Sequence, residues 1–119
     1  MSLERADIQG LFARGYSNLG LASFVLLGFE DGGSGRSWLG DALDVITTSE
    51  DRPDRRAVNV AFTASGLSRL GVDAETVGQF STEFVSGMTA PHRRRILADE
   101  GTSAPERWDW GGPGTAAVD

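Results

Sequence analysis

His92 is the single imidazole of the chain, and it stands directly before Arg93, Arg94 and Arg95. A Ser-His-Asp triad, a zinc site or a His-ligated haem formed within this chain would have to use that one residue. Its neighbours do not supply the rest of such a site. Pro91 precedes it, three guanidiniums follow, and no second ligand type stands at metal-binding spacing. An exposed loop histidine is the expected outcome. The three arginines carry the forked donors that grip a phosphate or carboxylate. Asp99 and Glu100 lie close by in sequence, so a solvated helix face, or pairing with such local acids, is expected instead.

Two other stretches have chemistry-bearing composition. Gly32-Gly33-Ser34-Gly35 precedes a helical pattern, and helix N-termini offer free N–H groups to anions. It has neither the lysine of a phosphate loop nor dinucleotide-binding glycine spacing, so turn formation and capping are expected of it. Trp108 and Trp110 flank Asp109 before Gly111-Gly112-Pro113, where an indole would suit a ligand or electron-exit surface. Covering the edge of a core, or awaiting a partner, is the plainer use of such tryptophans. No two carboxylates share a spacing that would fix both on one face of an element, which leaves general acid–base catalysis without a pair. The sequence thus assigns no catalytic, cofactor-binding or metal-ligating residue to this chain.

The elements that would position any site fit one modest core at most, given 119 residues and 12.6 kDa. Hydrophobic residues make up 39% and charged residues 24%, which lies within the range of folded domains and outside that of disordered chains. A net charge of −6 repels phosphate backbones, so nucleic acid is not an expected partner. All eleven basic residues are arginine, a bias attributed to codon composition. With no cysteine there is no disulfide, thiolate nucleophile or iron–sulfur cluster. The start, MSLERADIQG, has no apolar leader, and the apolar run at residues 22–27 is too short to span a bilayer. No membrane association and a cytoplasmic location are expected.

Along the chain, Ala22-Ser23-Phe24-Val25-Leu26-Leu27-Gly28-Phe29 reads as a buried strand stopped by the turn glycines Gly32 and Gly33. Ser34 is placed to cap a helix with Trp38, Leu39, Ala42, Leu43 and Ile46 on one stripe. A polar loop over residues 49–56 leads to Ala57-Val58-Asn59-Val60-Ala61-Phe62, which alternates as a second strand. Short helices should follow: one capped by Thr63 and left through Gly71, one opened by Asp73, and one capped by Ser81. The expected core joins Phe24, Leu26, Val58, Val60 and Phe62 to Trp38, Leu43, Leu67, Leu70, Phe84 and Met88. Residues 1–119 are expected to form a single α+β domain or part of one, with no internal repeat.

Several short motifs occur in a telling order: Asp7-Ile8-Gln9-Gly10, the run from Phe24 to Phe29, and Val58-Asn59-Val60-Ala61-Phe62-Thr63-Ala64-Ser65-Gly66-Leu67. Leu70-Gly71, Phe80, Glu83-Phe84, Gly87-Met88 and Gly101-Thr102-Ser103-Ala104-Pro105-Glu106-Arg107-Trp108-Asp109-Trp110-Gly111 complete the series. In this order they resemble the opening of dye-decolourising (DyP-type) haem peroxidases, and the resemblance covers nearly the whole chain. It implies an α+β, ferredoxin-like (split β-α-β) half-domain with short helices after the second strand. It further implies peroxide reduction coupled to one-electron substrate oxidation at a b-type haem held in the complete family member.

In that family the proximal His comes from the C-terminal domain, and a distal Asp from a Gly-x-x-Asp-Gly loop. His92 lies before the place of that loop, no Gly-x-x-Asp-Gly string is expected in this chain, and neither group is mapped onto it. The chain alone is therefore expected to bind no haem and to be inactive. It should associate with the remaining peroxidase domain or a second subunit, as an oligomer whose partner supplies the strand missing between residues 22–29 and 57–62. The alternative is a haem-free ferredoxin-like binding or accessory module.

Overall fold

A computed structural model describes residues 3–113. The chain divides into two compact units, one made of Met1–Val25 with Ser37–Ala61, the other of Leu26–Arg36 with Phe62–Asp119. Helix α2, Gly32–Ala42, contributes its first five residues to the second unit and the remainder to the first.

The first unit is built around three short lengths of chain laid side by side. Gln9 and Thr48 form an antiparallel bridge, flanked by Gly10 N–H to Thr47 O at 2.9 Å and Ser49 N–H to Ile8 O at 2.7 Å. The third length is held by one backbone bond and by side chains. Thr47 N–H donates to Val58 O, and Thr47 Oγ1 accepts from Val58 N–H, both at 2.9 Å. Two residues on, the Gln9 carboxamide accepts from Val60 N–H and donates to Val60 O, both at 2.8 Å. A carboxamide has the donor and acceptor of a peptide unit, so Gln9 satisfies Val60 as a neighbouring strand would. Helix α1, Gly10–Ala13, starts directly after this contact. A Cβ on Gly10 would lie 2.8 Å from Thr48 O and 2.8 Å from the Tyr16 hydroxyl, so only glycine permits the approach.

The second unit is a succession of short helices, α3 (Ala64–Arg69), α4 (Ala74–Gly78), α5 (Thr82–Ser86) and α6 (Pro91–Leu97). The cap residues decide where they begin. Thr63 Oγ1, Asp73 Oδ1 and Ser81 Oγ accept from the backbone N–H of Gly66, Thr76 and Phe84 respectively, as their types and spacing predict. Gly71 leaves α3 at φ 98°, also as expected. α3 packs on α4, and α4 on α5. Leu70 and Val77 are buried here with Ala104 and Pro105. The start of α2 joins the same core: Gly35 lies against Leu70 and Phe29, and Arg36 Nη1 donates to Leu70 O at 2.7 Å.

The α+β ferredoxin-like architecture is overturned. The described chain is about 45% helical, only 2% of it lies in a bridge, and it contains no sheet. The physical reason lies in the two expected strands. Residues 20–28 make no hydrogen bond to any described residue, and a strand has no stability without a ladder. In residues 57–62 the groups that would enter a ladder on one side are taken by Gln9 and Thr47. The expected core changes with them. Phe24 is 94% exposed, Leu26, Leu43 and Met88 are exposed, Trp38 lies near the surface, and Val58, Val60, Phe62, Leu67 and Phe84 are half-buried, which leaves Leu70 as the buried member. The helix expected after Ser34 forms, but it starts at Gly32 and Asp31 supplies the capping oxygen.

This contrast is measurable. Leu70→Ala should cost about 2–5 kcal/mol, because it removes a buried side chain from a small core. Phe24→Ala in dilute solution should leave the denaturation midpoint unchanged to within about 0.5 kcal/mol. Equal losses from the two would contradict the placement of the core.

Candidate functional site

His92 and the three arginines sit on α6, whose first residue is Pro91, so His92 occupies the first turn of a helix where a loop was expected. It is exposed. The arginines diverge from it. Arg93 pairs with Glu83 on α5, and Arg94 Nη1 reaches Glu106 Oε1 at 2.6 Å while its Nε donates to Asp99 O at 3.2 Å. Pairing with the carboxylates of Asp99 and Glu100 does not occur: the partners are Glu83 and Glu106, and Asp99 contributes only its carbonyl. The Glu83 carboxyl is held below its ordinary value chiefly by its own backbone N–H and then by Arg93. The Glu106 carboxyl is lowered chiefly by its own backbone N–H, with Arg94 adding to this and partial desolvation opposing it. These are surface pairs whose arginines tie α6 to its surroundings, which leaves them poorly placed to grip a ligand.

The glycine-rich start of α2 is occupied from within. Asp31 Oδ1 accepts from Ser34 N–H at 2.9 Å, and Asp31 Oδ2 from Ser34 Oγ at 3.1 Å, so the chain's own carboxylate fills the position an anion would take. Asp31 also overturns the expectation that the chain holds no Gly-x-x-Asp-Gly string. Gly28-Phe29-Glu30-Asp31-Gly32 has the Gly-x-x-Asp-Gly spacing of the family's distal loop. It stands between the apolar run and α2, ahead of His92, whereas the family's loop is expected after His92, and its Asp serves as a helix cap.

Trp108 Nε1 donates to Ser103 O at 2.8 Å and the ring is half-buried, so it closes the turn over residues 103–108. Trp110 is 60% exposed. Gly112 lies so close to Pro105 O that a Cβ would overlap it.

The densest polar cluster is one that residue types alone did not single out. Around Ser49, which is 2% exposed, Arg5 and Arg14 both donate to its carbonyl at 3.1 and 2.7 Å, and Ser49 Oγ donates to Arg5 O at 2.7 Å. Asp51 Oδ2 accepts from Thr48 N–H, and Tyr16 donates to Asn59 Oδ1. Each of these polar groups is spent on another, which is the signature of a scaffold. The Asp7-Ile8-Gln9-Gly10 string was the available clue. Among the described residues, no group of three or more His, Cys, Asp or Glu side chains is placed to hold a metal ion. None of their helices is long and apolar enough to cross a membrane.

Asp31 and Asp73 give these caps a pH signature. Hydrogen bonds donated by Ser34 and Thr76 respectively, from the backbone N–H first and the side-chain hydroxyl second, hold both carboxyls below the ordinary 3.8. A carboxyl whose folded value is lowered stabilises the fold in full above its unfolded value and loses that contribution as pH falls through the folded one. Denaturation midpoints should therefore be level above about pH 5 and drop below about pH 4. Asp73→Asn should flatten that drop, and an unaltered drop would show that the cap charge is irrelevant.

Comparison with protein-family models, with curated proteins and with solved structures gives no match.

Proposed function

We propose that this chain is the N-terminal portion of a DyP-type peroxidase, a part whose task is assembly and whose redox chemistry is supplied by residues elsewhere. The observation that carries the reading is the state of residues 20–28: an apolar run whose Leu21, Phe24 and Val25 are 96%, 94% and 77% exposed, with no hydrogen bond to any described residue. Exposed apolar chain of this length is stabilised when another polypeptide covers it. The ordered motifs from Asp7 to Gly111 supply the family. With no match to known families, the assignment rests on that order and on the open run.

In the complete protein a b-type haem would supply peroxide reduction coupled to one-electron oxidation of a substrate. The described residues do not fit such a group. His92 is an exposed imidazole on the surface of α6 and has no apolar enclosure around it. Asp31 is committed to the start of α2. The contribution of this chain is therefore structural: its second unit packs through Leu70 and Val77, and its open run docks.

The test is the coding sequence downstream of Asp119 together with its product. It should encode a Gly-x-x-Asp-Gly loop and a later His, and the purified product should show a Soret band that His92→Ala leaves unmoved. A band abolished by His92→Ala, or a product with neither the loop nor the band, would overturn the proposal. A haem-free binding module is the second reading, favoured by the same open run, and a product that assembles without haem would select it.

A further inference from the structure

The first unit has an opening of its own at residues 57–61. Val58 and Val60 spend their backbone groups on Thr47 and Gln9, and satisfaction of every second residue is the spacing of an extended strand. Residues 57, 59 and 61 must then face the other way. Among the described residues, no hydrogen bond is made by the backbone of Asn59 or Ala61, and both residues are exposed. The chain thus carries an open strand edge at residues 57–61 and an unpaired strand-forming run at residues 20–28, and in the folded chain neither uses the other.

We infer that residues 25–28 of the run of one copy pair antiparallel with the edge at residues 58–61 of a second copy, reciprocally, to give a symmetric dimer. The flanking charges set direction and register. Arg55 and Arg56 precede the edge, Glu30 and Asp31 follow the run, and Arg55, Arg56 and Glu30 make no ion pair with any described residue. Antiparallel pairing with Leu27 opposite Asn59 and Val25 opposite Ala61 brings Glu30 opposite Arg56. Parallel pairing would leave the arginines beside Gly20 and Leu21 and the acids without cations. Opposite charges facing across a ladder favour a register, and like charges oppose it. A second copy is the fitting occupant because each chain brings both the edge and the run, so two ladders form about one twofold axis and close the assembly.

The inference rests on the reading that residues 20–28 await a pairing partner, and it does not require the peroxidase resemblance. Charge exchange tests it. The full chain should sediment as a dimer at about 10 µM, a concentration at which an interface of standard size holds. Glu30→Arg and Arg56→Glu should each weaken dimerisation by about tenfold or more, since each turns two facing pairs repulsive. Circular dichroism should be unchanged, as both side chains are exposed. An equimolar mixture of the two variants should dimerise again, because in the mixed pair both ladders regain opposite charges. Three results would overturn the inference: a wild-type monomer at that concentration, single variants that dimerise like wild type, or a mixture that stays monomeric. A monomer whose residues 22–28 exchange amide protons freely would remove the self-pairing and leave the assembly reading standing. A monomer in which they are protected would remove both.

Discussion

Gly32→Ala is expected to destabilise the protein by about 3 kcal/mol, the upper end for overpacking, and Gly40→Ala to stabilise it by up to about 1 kcal/mol, although both glycines lie in α2. The difference is what each new methyl would meet. At Gly32 the Cβ would stand 2.1 Å from the Arg69 carbonyl oxygen, a backbone atom fixed by α3 and by the bond from Arg36 to Leu70. One of the two helices must then move, and Leu70 in the core moves with it. At Gly40 nothing lies within 4 Å, so the substitution only reduces the freedom of the unfolded chain and favours the helix. Thermal or chemical denaturation of both variants reads the sign directly. A stabilised Gly32→Ala would mean that α2 does not rest on α3 as described.

The second large effect belongs to Gln9. Gln9→Glu keeps the acceptor for Val60 N–H but replaces the donor to Val60 O with a charged oxygen, leaving a part-buried carbonyl facing a like partial charge. A loss of about 1–3 kcal/mol is expected at pH 7. Protonation restores a donor, so the folded state raises the pKa of the new carboxyl above its unfolded value of about 4.3. A raised value contributes its stability below the unfolded pKa and loses it as pH rises through the folded one. The deficit relative to wild type should therefore shrink below about pH 4. Gln9→Met removes both hydrogen bonds and should show no such recovery. A deficit independent of pH in both variants would mean that Gln9 acts by packing alone.

These two positions also show what the sequence made legible. Thr63, Asp73 and Ser81 were readable because a cap is a local device: a short acceptor two or three residues ahead of the N–H it satisfies. Gly71 was readable for the same reason. The runs at residues 22–29 and 57–62 misled because β-propensity reports a side chain's fit to a pleated surface and says nothing of whether a neighbouring strand exists. Long-range side-chain pairing escaped altogether. Nothing in the local spacing of Gln9 announces that its amide replaces a strand 51 residues away. At the candidate site the exposure of His92 and a solvated helix face under the arginines were legible, whereas Pro91 at a first helical position is the signal that His92 belongs to that helix and not to a loop. Arg93 and Arg94 were rightly given to acids, yet Glu83 and Glu106 lie ten and twelve residues away, beyond what helix spacing can suggest.

Under the proposal made above, the apolar run at residues 20–28, which bonds to no described residue of the single chain, is covered in an assembly. Amide hydrogen exchange measured at several protein concentrations tests it most directly. At dilutions where the chain is monomeric, residues 20–28 should exchange at intrinsic rates, while Val58, Val60 and the helix amides near Leu70 stay protected. As concentration rises into the micromolar range, protection should appear at Val25, Leu27, Asn59 and Ala61 together. Equal protection of residues 20–28 at every concentration would mean that the single chain already pairs them, and would contradict the account.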